Sequence, residues 1–356
     1  MTSKSRLSPL LKSPNTRIFL VLSAGFLGGA SYRYYLTTPS REPPSLNPDK
    51  HIPYTITRIE PLSPTNTILH LRNPAIPPDH YSLINAWRRL VWSVRVAQPQ
   101  LQIERAYTPL PPPGREEDAP QDYRELRLLV RRESGGEVSS YLHDLGEGGE
   151  VLLRGPDPGC LIPEQVEEVL FIAGGTGIAP AMQVARALQQ RKKGRLRVLW
   201  ANRRREECLG GVSDAPPTVS GWEWVKSLIG MGEDNAWRER GGGITGVDKG
   251  TIVRELEAMK RRPKTVEEWM SVEYFVDEEE RYIKPAHVRR ALPPKEPVKQ
   301  GEKFIPYKRI IFVSGPEGFV NYWAGPKEWR DGFERQGKLG GVLKEMDLQG
   351  FEVVKL

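Results

Sequence analysis

The chain is predicted to fold as an antiparallel β-barrel followed by a parallel-sheet α/β unit, carried behind an N-terminal transmembrane helix. Three observations predict this. Residues 54–156 hold short alternating or β-branched runs parted by Pro- and Asn-containing turns. Val169–Pro180 (VLFIAGGTGIAP) reads as a buried strand, a glycine turn and a helix start. Ile18–Tyr32 is 15 residues long and without charge.

The 356 residues suffice for two domains, and 38% hydrophobic with 27% charged residues describes a globular chain rich in turns, with 34 Gly and 32 Pro. The net charge of +7 is unevenly placed: Lys4, Arg6, Lys12, Arg17, Arg33 and Arg41 precede any acid. That placement argues against a nucleic-acid partner and for a membrane one. Cys160 and Cys208 supply neither a disulfide framework nor a metal cluster, and read as small buried hydrophobes. The five histidines are scattered and no C-x-x-C-H occurs, so no haem ligand set and no metal site is expected.

Residues 1–16, basic and rich in Ser and Pro, read as a mitochondrial targeting segment. Residues 17–36 form the anchor, whose short apolar run spans a bilayer if Arg17 and Arg33 snorkel and Tyr32, Tyr34 and Tyr35 sit at the interface. Gly25 and Gly29 form a GxxxG pair, read as small-residue composition. Residues 37–53 are a Pro-rich tether.

The barrel is assigned to residues 54–160, with strands at Tyr54–Glu60, Thr67–Arg72, Leu90–Ala97, Leu126–Arg131 and Glu150–Arg154. Within it stand Arg105-Ala106-Tyr107-Thr108-Pro109 and Gly136-Glu137-Val138-Ser139-Ser140. The second leads into Tyr141, Leu142 and Leu145 at helical spacing, with Ser139 or Ser140 available as N-cap and the helix's free N–H groups available to a phosphate. Each motif alone is more simply a solvated arginine or an ordinary cap.

The α/β unit is assigned to 161–356. After the strand Val169–Ile172, Gly174, Gly175 and Gly177 lead into a helix at Ala179–Gln190 with Pro180 in its first turn, the geometry that presents backbone N–H groups to a phosphate. A glycine turn alone also serves connections that bind nothing. Strands are expected at Leu196–Trp200, Tyr274–Asp277 and Ile310–Val313, and helices at Lys249–Arg262 and Pro285–Leu292. Residues from 210 to about 272, with Trp222, Trp224, Trp237 and Trp269, read as a surface insertion packed down by its tryptophans.

In chain order, R-x-Y-T-P, G-x-x-S at a helix start, R-G-P at Arg154-Gly155-Pro156, G-G-T-G-x-x-P after a strand, Ala201-Asn202-Arg203 and Ser314-Gly315-Pro316-Glu317-Gly318-Phe319 closely resemble the ferredoxin–NADP⁺ reductase superfamily. Its NADH-cytochrome b5 reductase-like branch is the nearest match. The resemblance implies an NAD(P)H-dependent FAD oxidoreductase. Arg105, Tyr107, Thr108 and Pro109 would hold the flavin and its phosphate, and Gly136, Val138, Ser139 and Ser140 the FAD diphosphate. Gly174, Gly175, Thr176, Gly177 and Pro180 would carry the diphosphate of NADH or NADPH, with Asn202, Arg203, Gly315 and Pro316 completing that site. Ser314 and Thr176 are the candidate catalytic positions. Ser314 stands where the family usually has Cys, which implies slower hydride transfer than in a dedicated reductase. The stretch Gly350–Leu356 ends without an aromatic to stack on the flavin. Arg203, Arg204 and Arg205 suit a 2′-phosphate while Glu206 and Glu207 suit ribose hydroxyls, so both coenzymes stay open.

The basic presequence, anchor and tether together resemble the mitochondrial flavoproteins that assist haem attachment to cytochrome c. That likeness implies an inner-membrane protein with its FAD domain in the intermembrane space, and a haem or haem-protein partner such as apocytochrome c or its attachment machinery. The alternatives are a reductase of a small cytochrome b5-type haem protein and a non-enzymatic membrane tether.

Overall fold

The computed structural model describes residues 46–76, 81–113, 122, 124–214, 248–261, 269–293, 308–348 and 350–356. The expected targeting segment and anchor, most of the tether, and Trp222, Trp224 and Trp237 lie outside the described residues. Among the described residues, no helix is long and apolar enough to cross a membrane.

Strands β1 (Ile52–Pro61), β2 (Asn66–Arg72), β3 (Leu90–Gln98), β4 (Ile103–Tyr107), β5 (Pro109–Leu110), β6 (Glu125–Arg131) and β7 (Glu150–Leu161) form one antiparallel sheet in the order β4-β3-β7-β1-β2-β6-β5. β1 alternates buried and exposed residues through Thr57, so Ile52, Tyr54 and Ile56 enter the core that Leu71, Val94, Leu128 and Val151 share. β7 runs seven residues beyond the expected Arg154, through Pro156 and Pro158. Pro156 falls at a register shift between Ser93 and Arg95 of β3, and Pro158 sits beside a second between Val91 and Trp92, so the bulges accommodate the missing N–H groups. An unexpected helix, α1 (Tyr81–Arg89), buries Leu83, Ala86 and Trp87 at i, i+3, i+4 spacing, and Trp87 meets Trp92 edge-on at 4.9 Å.

The second sheet is wholly parallel: β8 (Glu168–Gly174), β9 (Arg195–Asn202), β10 (Met270–Val276), β11 (Arg309–Ser314) and β14 (Glu352–Lys355), in the order β10-β9-β8-β11-β14. β12 (Glu328–Arg330) and β13 (Phe333–Arg335) make a separate hairpin. β8 is buried along its whole length and feeds both faces: Val169, Phe171 and Ala173 join one core, Leu170 and Ile172 the other. Counting from α1, α2 is Glu137–Asp144 on the first sheet, α3 is Ile178–Arg191 and α4 is Thr251–Lys260. α3 and α4 pack on the Phe171 face. α5 (Pro285–Ala291), α6 (Glu317–Ala324) and α7 (Gly341–Lys344) pack on the opposite face.

The region read as an insertion is partly core. α4 and the start of β10 bury Ile252, Val253, Leu256, Met259, Trp269, Met270 and Val272, because β9 needs a parallel neighbour and that face needs a cover. Ile68, Val91, Leu110 and Leu129 of the antiparallel sheet join this same core, and residues 45–356 form one compact unit. Cys208 is fully buried and Cys160 half-buried; burial pushes their thiols up to about 12 and about 11.

Candidate functional site

β8 and β11 are neighbours, yet the chain leaves β8 toward β9 on one side and β11 toward β14 on the other. Their C-terminal ends therefore form a topological switch point, where open α/β sheets leave a crevice. After β8, Gly175–Gly177 make one 3₁₀ turn into α3, with Gly175 at φ +53°. After β11, Gly315 stands at φ +154° and Pro316 is the N-cap of α6. The two turns touch through their backbones. A Cβ on Gly177 would lie 2.4 Å from the Ser314 carbonyl oxygen, and one on Gly315 would lie 3.1 Å from Gly174 Cα. A Cβ on Gly174 would meet the Phe319 ring at 2.9 Å. Ser314 is buried at the end of β11, Thr176 is half-buried in the turn, and Pro180 is buried in the first turn of α3.

Trp200, unmarked in the sequence reading, holds this turn: its indole Nε1 donates to the Gly175 carbonyl at 2.9 Å from the buried middle of β9. Asn202 ends β9, buried; Arg203 and Arg204 follow, exposed. Arg205 is already engaged: its backbone N–H donates to Glu278 at 2.6 Å and its guanidinium grips Glu279 through Nε at 2.6 Å and through Nη2.

On the antiparallel side, β4 carries Arg105 and Tyr107, Thr108 follows, and Pro109 opens β5. Arg105 is exposed and leans on the Glu104 carbonyl at 3.0 Å. Burial pushes the Tyr107 hydroxyl up to about 12, opposed by Arg105 and reinforced by Glu133. Arg154, of the R-G-P motif, grips both Glu104 oxygens, with Nη2 to Oε2 at 2.7 Å, and so ties β7 to β4 beside Arg105. These bonds, with the Arg154 charge, hold the Glu104 carboxyl below the usual range despite its partial burial.

The N-cap of α2 is Gly136, not Ser139 or Ser140 as expected. Gly136 takes the extended conformation of a cap (φ −85°, ψ 103°), which puts the serines inside the first turn. Ser139 Oγ folds back instead, donating to the Gly136 carbonyl at 3.0 Å and accepting the Glu133 N–H at 3.1 Å. A Cβ on Gly136 would sit 2.5 Å from that oxygen. Val138 is buried in the core below, and the Ser140 N–H continues the helix to the Gly136 carbonyl.

Arg131, the last residue of β6, joins these pieces and was not singled out by sequence. Its Nε lies 3.5 Å from Glu133, its Nη2 3.3 Å from Glu207, and its Nη1 3.5 Å from where a Gly175 Cβ would be. Glu207, with a side chain 1% exposed, also accepts the Arg203 N–H at 3.0 Å. One guanidinium thus links the loop before α2 to the loop after β9 and lies beside the glycine turn. The only signal for it was a charge at the end of the strand Glu125–Arg131, which is too common to read.

Residues 171–210 match the oxidoreductase NAD-binding domain. That stretch runs from β8 through the glycine turn and α3 to the loop after β9. The chain is 31% identical over 170 residues to an uncharacterized FAD-binding protein of Schizosaccharomyces pombe, covering 48% of this chain and 59% of that one. It is 27% identical over 257 residues to NADH-cytochrome b5 reductase 2 of Neurospora crassa, covering 71% and 58%. It is also 28% identical over 160 residues to the cytochrome c mitochondrial import factor CYC2 of Saccharomyces cerevisiae, covering 41% and 42%. The chain therefore spans less than two thirds of each of these relatives. The resemblance read from the order of the motifs is borne out to this extent: residues 171–210 match an oxidoreductase NAD-binding domain and the chain is similar to NADH-cytochrome b5 reductases.

Proposed function

We propose that this protein is a membrane-anchored FAD oxidoreductase that passes electrons from NADH or NADPH through flavin to a haem or haem-protein acceptor, in support of mitochondrial cytochrome c haem attachment. The observation that carries the redox reading is the packing of two of the motifs against each other, with the turns after β8 and β11 backbone to backbone, while Arg131 pairs with Glu133, whose N–H reaches Ser139 of α2, and with Glu207 after β9. Both dinucleotides fit this chain. The glycines at 174, 177 and 315 leave bare backbone where side chains cannot stand, and Gly136 does the same at the start of α2. The chemistry such a pair supplies is hydride transfer from nicotinamide C4 to flavin N5, with electrons then leaving to the acceptor.

The residues of the chain bind and orient. Arg105 and Tyr107 would hold the flavin; the first turn of α2 would offer its N–H groups to the FAD diphosphate; Gly175–Gly177 and the start of α3 would do so for the coenzyme. Ser314 and Thr176 would stand beside the nicotinamide, and no side chain would be required to move a proton for the hydride step. Both coenzymes stay open, with Arg203 and Arg204 rather than Arg205 available to a 2′-phosphate. The domain division at residue 160, the inner-membrane anchor at 17–36 and an intermembrane-space FAD domain belong to the same reading, supported by the likeness to CYC2 and by the basic N-terminus. A cytochrome b5-type acceptor is the second reading, favoured by similarity over 71% of the chain to a b5 reductase.

The deciding experiment is an anaerobic absorbance spectrum of the purified protein before and after NADH, then NADPH. Flavin bands that bleach support the redox reading; a colourless protein leaves only the tether. Normal holocytochrome c in cells lacking the protein would remove the haem-attachment role and leave rapid reduction of a small haem protein to be shown.

Acid should also release the flavin. Because the folded Glu104 carboxyl lies below its ordinary value of 4.5, its bonds to Arg154 contribute fully above that value and are lost as pH falls through the lowered one. Flavin fluorescence is expected to rise in that window for the native protein, whereas Glu104→Gln, which lacks the carboxylate at every pH, should release more flavin already at neutral pH and lose that transition.

A further inference from the structure

Gln183 lies on α3, one turn beyond Pro180, and is 1% exposed. Its side chain spends three hydrogen bonds on the other sheet. Oε1 accepts the Trp92 N–H at 2.9 Å, and Nε2 donates to the Trp92 carbonyl at 3.1 Å and to the Pro109 carbonyl at 2.9 Å. Trp92 belongs to β3, which pairs with β4. Pro109 directly follows Thr108 in the R-x-Y-T-P motif. The amide therefore connects the helix that opens from the glycine turn to the segment that carries Arg105, Tyr107 and Thr108.

We infer that Gln183 is a positioning residue for hydride transfer, fixing the coenzyme turn at a set distance from the flavin strand. This rests on the redox reading above. Only five residues separate Gln183 from Gly177, and α3 is continuous from Ile178, so any displacement at the amide is passed to the turn with little slack. The amide is the one side chain of suitable length that satisfies this pattern: a buried N–H and two buried carbonyls need one acceptor and two donors. Hydride transfer falls steeply with donor–acceptor misplacement, and a shift of about 1 Å costs on the order of 100-fold.

The same helix supplies a control. Arg191, eight residues on and roughly 12 Å along the axis, also makes three bonds across to the other side. They run to Pro163 at 2.8 Å, Ile162 at 2.9 Å and Arg88 at 3.2 Å, all carbonyls far along the helix from the turn. If Gln183 served stability alone, removing either set would act alike.

The test is rapid-mixing reduction of flavin-loaded full-length protein by NADH, comparing the native protein with Q183M, Q183E and R191M. Q183M keeps the side-chain volume and Q183E keeps the acceptor for the Trp92 N–H. The expected result is a limiting rate per bound flavin at least about 10-fold lower in Q183M, with the dissociation constant for NADH within about 2-fold, and R191M unchanged in both. An unchanged limiting rate in both Gln183 variants overturns the inference, as does an equal fall in R191M. Should Q183M lose flavin, Q183E carries the comparison, and loss of flavin from both without a slower rate in what remains also overturns it. A native protein that holds no flavin or fails to bleach instead sinks the redox reading itself.

Discussion

Gly177→Ala is expected to remove NADH- and NADPH-driven bleaching by at least about 100-fold while leaving the flavin bound. The added Cβ would stand 2.4 Å from the Ser314 carbonyl oxygen, 2.6 Å from its carbon and 2.9 Å from the Gly315 nitrogen. All three atoms are backbone, so no rotamer change makes room, and the turns after β8 and β11 must separate. Overpacking of this kind costs about 1–3 kcal/mol in a core, and here it falls between the two loops that would enclose the nicotinamide. Gly175→Ala makes an informative contrast. Its Cβ would meet only the Arg131 guanidinium, at 3.5 Å, so its cost is confined to placing an L-residue at φ +53°, about 1 kcal/mol. The 177 variant should therefore be far more damaging than the 175 variant. Stopped-flow reduction with flavin content measured on the same samples checks this, and loss of flavin from Gly177→Ala would mean that the turn serves the other cofactor.

The glycine turn was legible because a strand, three glycines and a helix leave a local signature, and the strand after Lys308 was legible because its apolar run is bounded by turn residues on both sides. What escaped the sequence reading depends on partners far apart in the chain. Trp200 reads as a core aromatic until β9 is placed beside the turn whose carbonyl it binds. Gln183 reads as a polar residue on an amphipathic helix, because nothing local announces that a second sheet will cover that face. Arg131 closes an ordinary strand, and its meaning comes from Glu133, Glu207 and Gly175, which lie on three different elements. Errors in local structure had local causes. The second half of β7 was hidden by prolines that sit at bulges, and the expected serine cap at α2 failed because a glycine three residues earlier takes the cap conformation without a side chain. The R-x-Y-T-P and G-x-x-S motifs carried little weight singly. Their order gave them weight, since four spaced motifs on two sheets have few common explanations.

Arg127→Met should destabilise the protein by about 3–5 kcal/mol, the largest stability loss expected of a single side chain here. Arg127 lies on β6 with 5% of its side chain exposed, and its two terminal nitrogens meet both oxygens of Glu255 on α4, at 2.5 and 3.0 Å. Nη2 also donates to the Pro111 carbonyl. Removing the arginine leaves a carboxylate with 11% of its side chain exposed and without its partner, and a buried carbonyl without its donor. Removing both partners is a different matter: replacing a buried pair by apolar residues of similar volume is often close to neutral. The double variant Arg127→Met/Glu255→Leu should therefore recover most of the loss in urea unfolding followed by tryptophan fluorescence. A single-variant loss under about 1 kcal/mol would mean that the pair behaves as a solvated surface bridge. The double variant also separates two kinds of contact between the sheets. α4 is anchored a second time by Thr251, whose hydroxyl donates to Glu60 on β1, and α4 does not lead into the glycine turn. With the pair replaced by apolar packing, the flavin should still bleach at the native limiting rate, because the distance between the coenzyme turn and β4 is carried by α3 and its glutamine rather than by α4 and its salt bridge.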